Sequence, residues 1–596
     1  MRALLFFLTI SISFLKAQTL VKGPYLQVGT PNSIIIRWET NVATDSRVEY
    51  GTSVTALSSS TTSAIIDTTH ILQITGLLPY TKYFYSVGTS TGVIQGDTNN
   101  YFVTSPLPGA EGKYRFWING DCGNLSLNQA NCKAQYNLFN GNRLTNGWLL
   151  LGDNAYYYGT NYEYNTEFFN VYQTDIMKHS VLWPSPGNHD YDNGATKTPT
   201  VPYFTIFSMP TAAEAGGFAS GTKRYYSYDY GNVHFMSLDS YGVDGNLKMY
   251  DTLSAQALWV KQDLAANTKK WTVAYWHHPP YTMGSHNSDT ELDLDSIRVN
   301  FIRILERSGV DLILCGHSHS YERSKLMRGH YGNEASFVSS THNLDTSTAL
   351  YNGSVNSCPY VKDTISKKAG TVYVVAGSGG WIGPNQTSFP HDAMYFSDAT
   401  NGGTAVLDIE ANRLDLKWLC ADGLIRDNFT MFKNVNKVSL FTITPTQTIS
   451  LNASWPGNYV WSNSDTLRAT SVSPITNTTY WVKDKFNCVA DTFKVFISPV
   501  GVKELSLKND QTLLLYPNPT KENITLKLSL KEKTDVGMKL FSSEGKLLKD
   551  YEPTDFPAGE NNISVWMTDL KLQSGIYFLQ INFNGVSVMD KFIITK

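Results

Sequence analysis

The sequence predicts a multidomain protein in which a layered α/β core lies between all-β domains. Its 596 residues are enough for roughly four domains at about 150 residues each. Strand patterns alternate with helix patterns only between about residues 112 and 432, whereas the flanking regions show strand patterns alone. The composition agrees, because 44 Gly and 35 Tyr with only 17% charged residues are typical of short strands joined by turns.

Residues 1–17 predict export. A positive charge at Arg2 precedes an apolar run from Ala3 to Leu15, and the small residue Ala17 follows. This order is typical of a signal peptide, so we expect cleavage after Ala17. A membrane anchor is the alternative, but a bilayer-spanning helix needs about 20 apolar residues.

Charge and hydropathy argue against two further classes of protein. The formal net charge is −3, whereas proteins that bind a phosphate backbone usually carry a basic excess. We therefore expect no nucleic-acid-binding surface. No later stretch reaches the length needed to span a bilayer, so we expect no transmembrane segment in the mature chain.

Residues 19–107 predict a fibronectin type III-like sandwich. Ile34, Ile36 and Trp38 occupy alternate positions and would face one way along a strand. Further strand patterns follow at the spacing of a β-sandwich, separated by Gly and Pro.

Residues 112–432 predict the α/β core. Leu253, Ala257, Val260 and Leu264 are spaced as one apolar face of a helix. Helices that interleave with strands favour a layered arrangement of sheets and helices.

Two strand-rich regions follow the core. Residues 436–498 predict a small immunoglobulin-like module. Residues 506–596 predict a further β-domain that opens with Tyr516-Pro517-Asn518-Pro519 and includes the strand Gly575-Ile576-Tyr577-Phe578.

The cysteines form a weak disulfide framework. The core region contains an odd number of them, so at least one is free or pairs outside its domain. Their spacing is not that of a zinc site. They are Cys122, Cys132, Cys315, Cys358 and Cys420 in the core, and Cys488 downstream.

Five places in the core share one pattern, an apolar strand followed by Gly, Asp, Asn or His. In chain order these are Gly120-Asp121-Cys122-Gly123, Gly152-Asp153-Asn154-Ala155-Tyr156, Gly187-Asn188-His189-Asp190, Trp276-His277-His278-Pro279-Pro280 and Gly316-His317-Ser318-His319. Ligands gather at the carboxyl ends of strands in α/β sheets, so we expect these side chains to converge.

The converging side chains predict a metal centre. Their donors are oxygen and imidazole nitrogen, which suit hard or borderline metals. They are too many for one tetrahedral ion and enough for two ions that share a carboxylate. The candidate ligands are Asp121, Asp153, Tyr156, Asn188, His277, His317 and His319.

Each motif alone has a simpler interpretation. A Gly-Asp pair after a strand is usually a turn, and a single buried histidine is more often a hydrogen-bonded core residue than a ligand. The occurrence of all five motifs in order, each at a strand end, favours the metal centre.

These motifs resemble those of the calcineurin-like metallophosphoesterase superfamily, and within it the purple acid phosphatases. The resemblance covers about 320 residues and implies a β-sandwich flanked by helices. Many relatives carry Asp-x-His in the first motif, but Gly123 occupies the His position here. Tyr156 stands where purple enzymes place a phenolate ligand to ferric iron.

The resemblance also implies a role for each residue. Metal 1, expected to be Fe(III), would bind Asp121, Asp153, Tyr156 and His319. Metal 2, expected to be Zn, Fe or Mn, would bind Asp153, Asn188, His277 and His317. A His-x-Pro pattern selects His277 over His278. His189, with His286, would protonate the leaving group and hold the phosphoryl oxygens.

Residues 506–596 resemble the C-terminal sorting domain of the type IX secretion system. This resemblance implies the type IX machinery as a partner, passage across the outer membrane, and a secreted or cell-surface location. Another structural β-sandwich is the alternative interpretation.

The sequence thus predicts a secreted binuclear-metal acid phosphatase that hydrolyses small phosphate monoesters by attack of a metal-bound hydroxide. A phosphodiesterase or nucleotidase on the same metal site is the nearest alternative. A surface binding or adhesion protein with a relic core is the second alternative, although a relic has no reason to keep every metal donor.

Overall fold

The computed structural model describes residues 18–363, 369–498 and 513–595. The expected signal peptide, residues 1–17, lies outside these ranges. The chain divides into two compact units. The first comprises residues up to Ser439 together with Leu451–Thr470 and Tyr480–Phe493, and the second comprises Leu440–Ser450, Ser471–Thr479 and the chain from Lys494 onward.

The first β-domain is built around one long strand. Its strands are β1 (Leu20–Gln27), β2 (Ser33–Gly51), β3 (Ser59–Thr75), β4 (Lys82–Thr89), β5 (Gly92–Gln95) and β6 (Tyr101–Val103). The first half of β2 pairs with β1 and its second half with β4, while β3 pairs along most of its length. Ile34, Ile36 and Trp38 are buried on one face of β2, as their alternation predicts.

The core strands form two sheets among the described residues. They are β7 (Lys113–Asn119), β8 (Gly147–Leu151), β9 (Leu182–Ser185), β10 (Tyr226–Tyr230), β11 (Val233–Ser237), β12 (Trp271–Trp276), β13 (Leu312–Cys315), β14 (Tyr321–Ser324), β15 (Tyr360–Lys362), β16 (Val372–Ala376), β17 (Met394–Asp398), β18 (Gly403–Glu410), β19 (Arg413–Cys420) and β20 (Ile425–Lys433). One sheet has the order β10-β11-β12-β13-β16-β14-β17, and the other has the order β15-β20-β19-β18-β7-β8-β9.

Aromatic side chains join the two sheets into a sandwich. Phe116 of β7 lies 4.7 Å from Phe235 of β11, and Trp183 of β9 stacks on Tyr228 of β10 at 3.7 Å, measured between ring centroids. Such pairs combine large buried areas with a specific ring geometry. The predicted layered fold, a β-sandwich with helices, is confirmed.

Helical segments lie between the strands of the core. They are Leu127–Asn140, Asn161–Glu163, Tyr164–Phe169, Asn170–Tyr172, Ile176–Lys178, His189–Tyr191, Tyr203–Ile206, Ala255–Ala266, Leu292–Ser296, Ile297–Phe301, Ile302–Ser308, Glu334–Ser336 and Ser339–His342. None of the helices in the described ranges has the length and apolar character needed to cross a bilayer.

The helix Ala255–Ala266 confirms part of a predicted apolar face. Val260 and Leu264 are buried, as predicted. Leu253 lies before the helix and is exposed, which differs from the prediction. The reason is the Ser254 side chain, which accepts a hydrogen bond from a backbone N–H of the first turn and so begins the helix after Leu253.

The parallel strands bring the five motifs to one end of the sandwich. In one sheet β7, β8 and β9 are parallel neighbours, and in the other β11, β12, β13 and β16 are. The motifs follow β7, β8, β9, β12 and β13. The candidate site therefore draws on strand ends of both sheets, not of one.

Residues 436–498 contain short strands, namely β21 (Val438–Ile443), β22 (Ile449–Asn452), β23 (Val460–Trp461), β24 (Ala469–Val472), β25 (Thr478–Lys483) and β26 (Ala490–Ile497). Within the first unit, a disulfide joins Cys358 to Cys488. A core cysteine thus pairs outside the α/β region, one of the two outcomes that the odd cysteine number allowed. The remaining cysteines are free and buried.

The last β-domain lies in the second unit. Its strands are β27 (Leu513–Tyr516), β28 (Asn523–Leu530), β29 (Thr534–Ser542), β30 (Leu547–Phe556), β31 (Gly559–Trp566), β32 (Gly575–Phe583) and β33 (Val586–Ile594), with a short helical turn at Thr568–Leu570. They form the sheets β27-β28-β31 and β30-β29-β32-β33. Alternate residues of β28 are buried, which is typical of a sheet with one face on a core.

Candidate metal centre

Three candidate ligands have a left-handed backbone. The φ angles of Asp121, Asp153 and His317 are 57°, 51° and 66°. This region is uncommon outside glycine, although Asp and His adopt it more readily than most residues. Such residues cluster at functional sites. Here the conformation occurs directly beyond strand ends and turns each side chain toward the others.

The glycine before each of these residues makes room for the ligands. A Cβ added at Gly152 would lie 2.6 Å from His277 Nδ1, and one added at Gly316 would lie 2.6 Å from Asp121 Oδ2. The Gly-Asp and Gly-His pairs of the sequence therefore combine a close approach of strand ends with a turn that presents the ligand.

A first group of donors surrounds the hydroxyl of Tyr156. This hydroxyl donates to Asp121 Oδ1 at 3.0 Å and to Asp153 Oδ2 at 3.2 Å. It lies 3.3 Å from His319 Nε2, which is in turn 3.6 Å from Asp121 Oδ1. These are the four residues expected at metal 1.

A second group of donors surrounds His277 Nε2. This nitrogen lies 3.2 Å from Asp153 Oδ2 and 3.1 Å from Asn188 Oδ1. It also lies 3.2 Å from Nδ1 of His317. These are the four residues expected at metal 2.

One atom, Asp153 Oδ2, belongs to both groups, and the donor spacing fits two cations. Metal–ligand bonds of about 2.1 Å place neighbouring donors about 3.0–3.4 Å apart in octahedral or tetrahedral geometry. The donor–donor distances in both groups fall in or close to this range. The donor set therefore fits a pair of metal ions bridged by a carboxylate.

The tautomer of His277 also fits a ligand. Its Nδ1 lies 2.9 Å from the carbonyl oxygen of Leu151, the last residue of β8. A carbonyl can only accept, so Nδ1–H donates to it and Nε2 faces the site, where it could bind a cation once its own proton is released. Metal-ligating histidines are commonly oriented in this way.

Burial and neighbouring charges shift the protonation of the site. Burial would lower the pKa of His277, but the Asp153 and Asp121 carboxylates raise it to about 9. Burial would raise the pKa of Asp153, but His277 and His189 hold it well below its usual range. Burial, followed by the effect of Asp121 and Asp153, raises the pKa of Tyr156 well above that of an ordinary phenol. Cation binding to these donors is therefore coupled to proton release.

His189 lies beside Asp153, which belongs to both donor groups. Its Nδ1 is 2.7 Å from the carbonyl oxygen of Tyr157, so it donates there. Its Nε2 is 3.7 Å from Asp153 Oδ2, and its ring lies 4.3 Å from that of Tyr156. The side chain is partly exposed, which leaves Nε2 within reach of a bound substrate.

His286 lies beside His317, a member of the second donor group. Its ring stacks on His317 at 3.7 Å, and its Nδ1 lies 2.9 Å from Glu291 Oε2. Both residues line a cavity of about 460 Å³ together with Asn188. His278 is buried with Nδ1 2.8 Å from Ser240 Oγ and is not one of the converging donors.

Three further residues at the site were given no role by the sequence interpretation. Glu291 pairs with His286, and no sequence signal marks it. Asp190 directly follows His189, and its carboxylate accepts hydrogen bonds from the backbone N–H groups of Asn154 and Gly187. Trp381 follows a glycine-rich turn after β16, a signal of the same kind as the five motifs.

Gly123 has no room for a side chain. A Cβ there would lie 1.9 Å from the carbonyl oxygen of Asn154 and 2.9 Å from the Cα of Ala155. The loop that leads to Tyr156 thus occupies the space that a larger residue at position 123 would need.

Three regions of the chain match known family models. Residues 114–321, which contain every candidate ligand, match the calcineurin-like phosphoesterase family. Residues 21–104 match the N-terminal domain of purple acid phosphatases. Residues 514–595 match the secretion system C-terminal sorting domain.

Individual relatives agree at low identity. Purple acid phosphatase 15 of Arabidopsis thaliana is 28% identical over 293 residues, which cover 44% of this chain and 50% of that protein. Purple acid phosphatase 23 of the same plant is 26% identical over 357 residues, which cover 56% of this chain and 66% of that protein. The chain thus spans about half to two thirds of the length of these curated relatives.

A solved structure shows the same fold. The purple acid phosphatase PPD1 from seeds of yellow lupin (Lupinus luteus) aligns with a TM-score of 0.52 at 18% identity, covering 69% of this chain and 75% of that one. By sequence, residues 114–321 match the calcineurin-like phosphoesterase family. The chain joins this region to one that matches the N-terminal domain of purple acid phosphatases and to one that matches a secretion system C-terminal sorting domain.

Proposed function

We propose that the protein is a secreted acid phosphatase that hydrolyses small phosphate monoesters at a binuclear metal centre. The observation that carries this proposal is the position of Asp153 Oδ2, which lies 3.2 Å from both Tyr156 Oη and His277 Nε2. A carboxylate between two donor groups is the arrangement that two bridged cations require.

The donor types suggest the metals. Asp121, Asp153, Tyr156 and His319 would hold Fe(III), for which a phenolate is a hard anionic ligand, and the group with Asn188, His277 and His317 would hold Zn, Fe or Mn. When bound, two such cations would lower the pKa of water enough to supply a nucleophile at acidic pH and would neutralise the charge of the phosphoryl group.

His189 is suited to protonate the leaving oxygen. The hydrogen bond from Nδ1–H to the Tyr157 carbonyl orients the ring and leaves Nε2 toward the metal ligands. A proton on Nε2 would pass to the alkoxide as the ester bond breaks.

His286 is suited to hold a phosphoryl oxygen. Its Nδ1–H donates to the Glu291 carboxylate, which orients the ring. With a proton on Nε2, the ring would donate a hydrogen bond to a phosphoryl oxygen. Stacking against His317 fixes the plane of the ring.

We further propose export in two steps. Residues 1–17 would direct the chain out of the cytoplasm and be cleaved after Ala17. The sorting domain at residues 514–595 would then engage the type IX secretion machinery, which would place the protein outside the outer membrane or on the cell surface.

The test is phosphate release from an aryl monoester and from the corresponding diester between pH 4 and 9, with the full chain. Asp153→Asn is the control, because it keeps the shape of the side chain and removes the bridging charge. Acid-side monoester turnover that disappears in this variant would support the proposal.

Other outcomes would replace the proposal. Preference for the diester at neutral pH would indicate a phosphodiesterase or nucleotidase on the same site. Absence of turnover despite bound metal would favour a surface binding or adhesion protein.

A further inference from the structure

Two aromatic rings form an open surface beside the candidate metal centre, which we name the aromatic platform. It consists of the rings of Tyr157 and Trp381, whose centroids lie 5.4 Å apart. Trp381 lies 4.9 Å from the ring of Tyr156 and 6.1 Å from that of His319. The platform therefore contacts two candidate ligands of metal 1 along its inner edge.

The outer side of the platform faces solvent. Tyr157 is 53% exposed and Trp381 is half-buried. An aromatic ring that only filled the core would be buried, since each ring removes a large apolar area from water. Exposure directly beside a catalytic centre instead suits a surface that a ligand covers.

The backbone holds both rings in place. An added Cβ at Gly377 would lie 2.2 Å from the Ser318 carbonyl oxygen, and one at Gly380 would lie 2.2 Å from that of Asp121. The turn that carries Trp381 is thus pressed against the ligand loops. On the other side, the backbone N–H of Tyr157 donates to Glu163 Oε1 at 2.7 Å. A surface fixed in this way binds a ligand with little loss of conformational entropy.

The platform lies on the same side as His189. The carbonyl oxygen of Tyr157 accepts from His189 Nδ1, and the two rings are 6.0 Å apart. A leaving group that takes its proton from His189 therefore comes to lie against Tyr157 and Trp381.

The cavity lined by His286 and His317 offers a different surface. Its aromatic ring, Tyr241, already has the ammonium groups of Lys197 and Lys248 over it, at 5.7 Å and 5.4 Å from the ring centroid. A planar group would find no free aromatic face there comparable to the platform.

We propose that the aromatic platform binds a planar ring in the leaving group of the substrate, such as an aryl group or a nucleobase. The proposal rests on the phosphatase function proposed above and specifies its substrate class. Stacking on Trp381 and Tyr157 is the interaction that selects such esters over aliphatic ones.

The test compares 2-naphthyl phosphate with phenyl phosphate, because their leaving groups are similar in acidity and differ in flat area. The metal-loaded full chain should prefer the naphthyl ester in kcat/KM by at least about fivefold. Trp381→Leu should reduce this preference to below about twofold, mainly through KM, and Trp381→Phe should keep part of it. A displaced Tyr156 would affect both esters alike and cancel in the ratio.

Trp481→Leu is the matched control, because Trp481 is also partly exposed and lies in the module after the core. This variant should keep the full preference for the naphthyl ester. An unchanged preference in Trp381→Leu, or no preference in the unaltered protein, would overturn the platform proposal while leaving the phosphatase function in place. Failure to release phosphate from either ester and from glycerol 2-phosphate would overturn the proposed function and this inference together.

Discussion

Gly123→Ala is expected to disrupt the candidate metal centre, although it adds a single methyl group. The new Cβ would lie 1.9 Å from the carbonyl oxygen of Asn154 and 2.6 Å from its carbonyl carbon. Both are backbone atoms, so no side-chain rotation relieves the contact. An ordinary contact requires about 3.2 Å or more, and the loop carrying Asp153 and Tyr156 must therefore move by more than about 1 Å.

The size of the effect follows from that displacement. A misplacement of about 1 Å in catalytic geometry costs about 100-fold in rate. Overpacking itself costs about 1–3 kcal/mol of stability. The hydrogen bond from the Tyr156 N–H to the Gly123 carbonyl, 2.8 Å long, is strained as well, which adds about 1 kcal/mol. We expect at least a 100-fold loss of kcat/KM together with lower metal content.

The assay measures kcat/KM on an aryl monoester, bound metal and the unfolding midpoint. Gly92→Ala is the control, because a Cβ at Gly92 has nothing within 4 Å, and it should change none of the three. Full activity and full metal content in Gly123→Ala would refute the argument that the loop after β8 is packed against position 123.

Three further predictions concern the site and its support. If Tyr156 binds Fe(III), the purified protein should be coloured, and Tyr156→Phe should lose the visible absorption band; a colourless, iron-replete protein would contradict the assignment. His189→Ala should slow esters with poor leaving groups most, because these need the proton, whereas an equal loss across leaving groups would indicate that His189 only positions the substrate. Burial would lower the pKa of His234, but hydrogen bonds to Asp229 and Asp263 raise it to about 9, above the ordinary value of about 6.5. The interaction of charged His234 with these carboxylates therefore stabilises the fold fully below about pH 6.5. This contribution is lost as the pH rises through 9. The shift corresponds to about 3 kcal/mol, so urea unfolding at pH 6 and pH 9.5 should show a stability difference that is smaller in His234→Gln, and an equal difference in both proteins would contradict this origin.

The disulfide between Cys358 and Cys488 limits which fragments of the protein keep its native pairing. It joins residues 130 positions apart in sequence and ties a loop of the α/β core to the module that follows. A fragment that ends near residue 432 would leave Cys358 unpaired, so activity measurements are best made with the full chain.

Part of the site could be predicted because its signal is local. The pattern is a buried strand, then a glycine, then Asp or His, and it describes one short turn. Asp121, Asp153 and His317 all follow this pattern, and all three have a left-handed backbone. The resemblance to a known family then assigned these turns to two metal groups, and the structure brings the same seven side chains together.

Other features could not be predicted because they depend on contacts between distant segments. Glu291 is defined as part of the site by its distances to His286 and His317, and the sequence around it carries no recognisable motif. The helix that was expected to include Leu253 begins after it, because a local cap at Ser254 overrides the apolar periodicity.

By itself, the sequence determined the fold class, the residue types of the candidate centre and the strand ends on which they lie, because each of these is encoded within a few consecutive residues. Only the tertiary structure decided that two sheets contribute the candidate ligands, that Asp153 lies between Tyr156 and His277, and that Cys358 pairs with Cys488. It also decided that Trp381 lies partly exposed beside the candidate centre. The physical reason is that these relations depend on how strands far apart in the chain pack against each other, and no short segment contains that information.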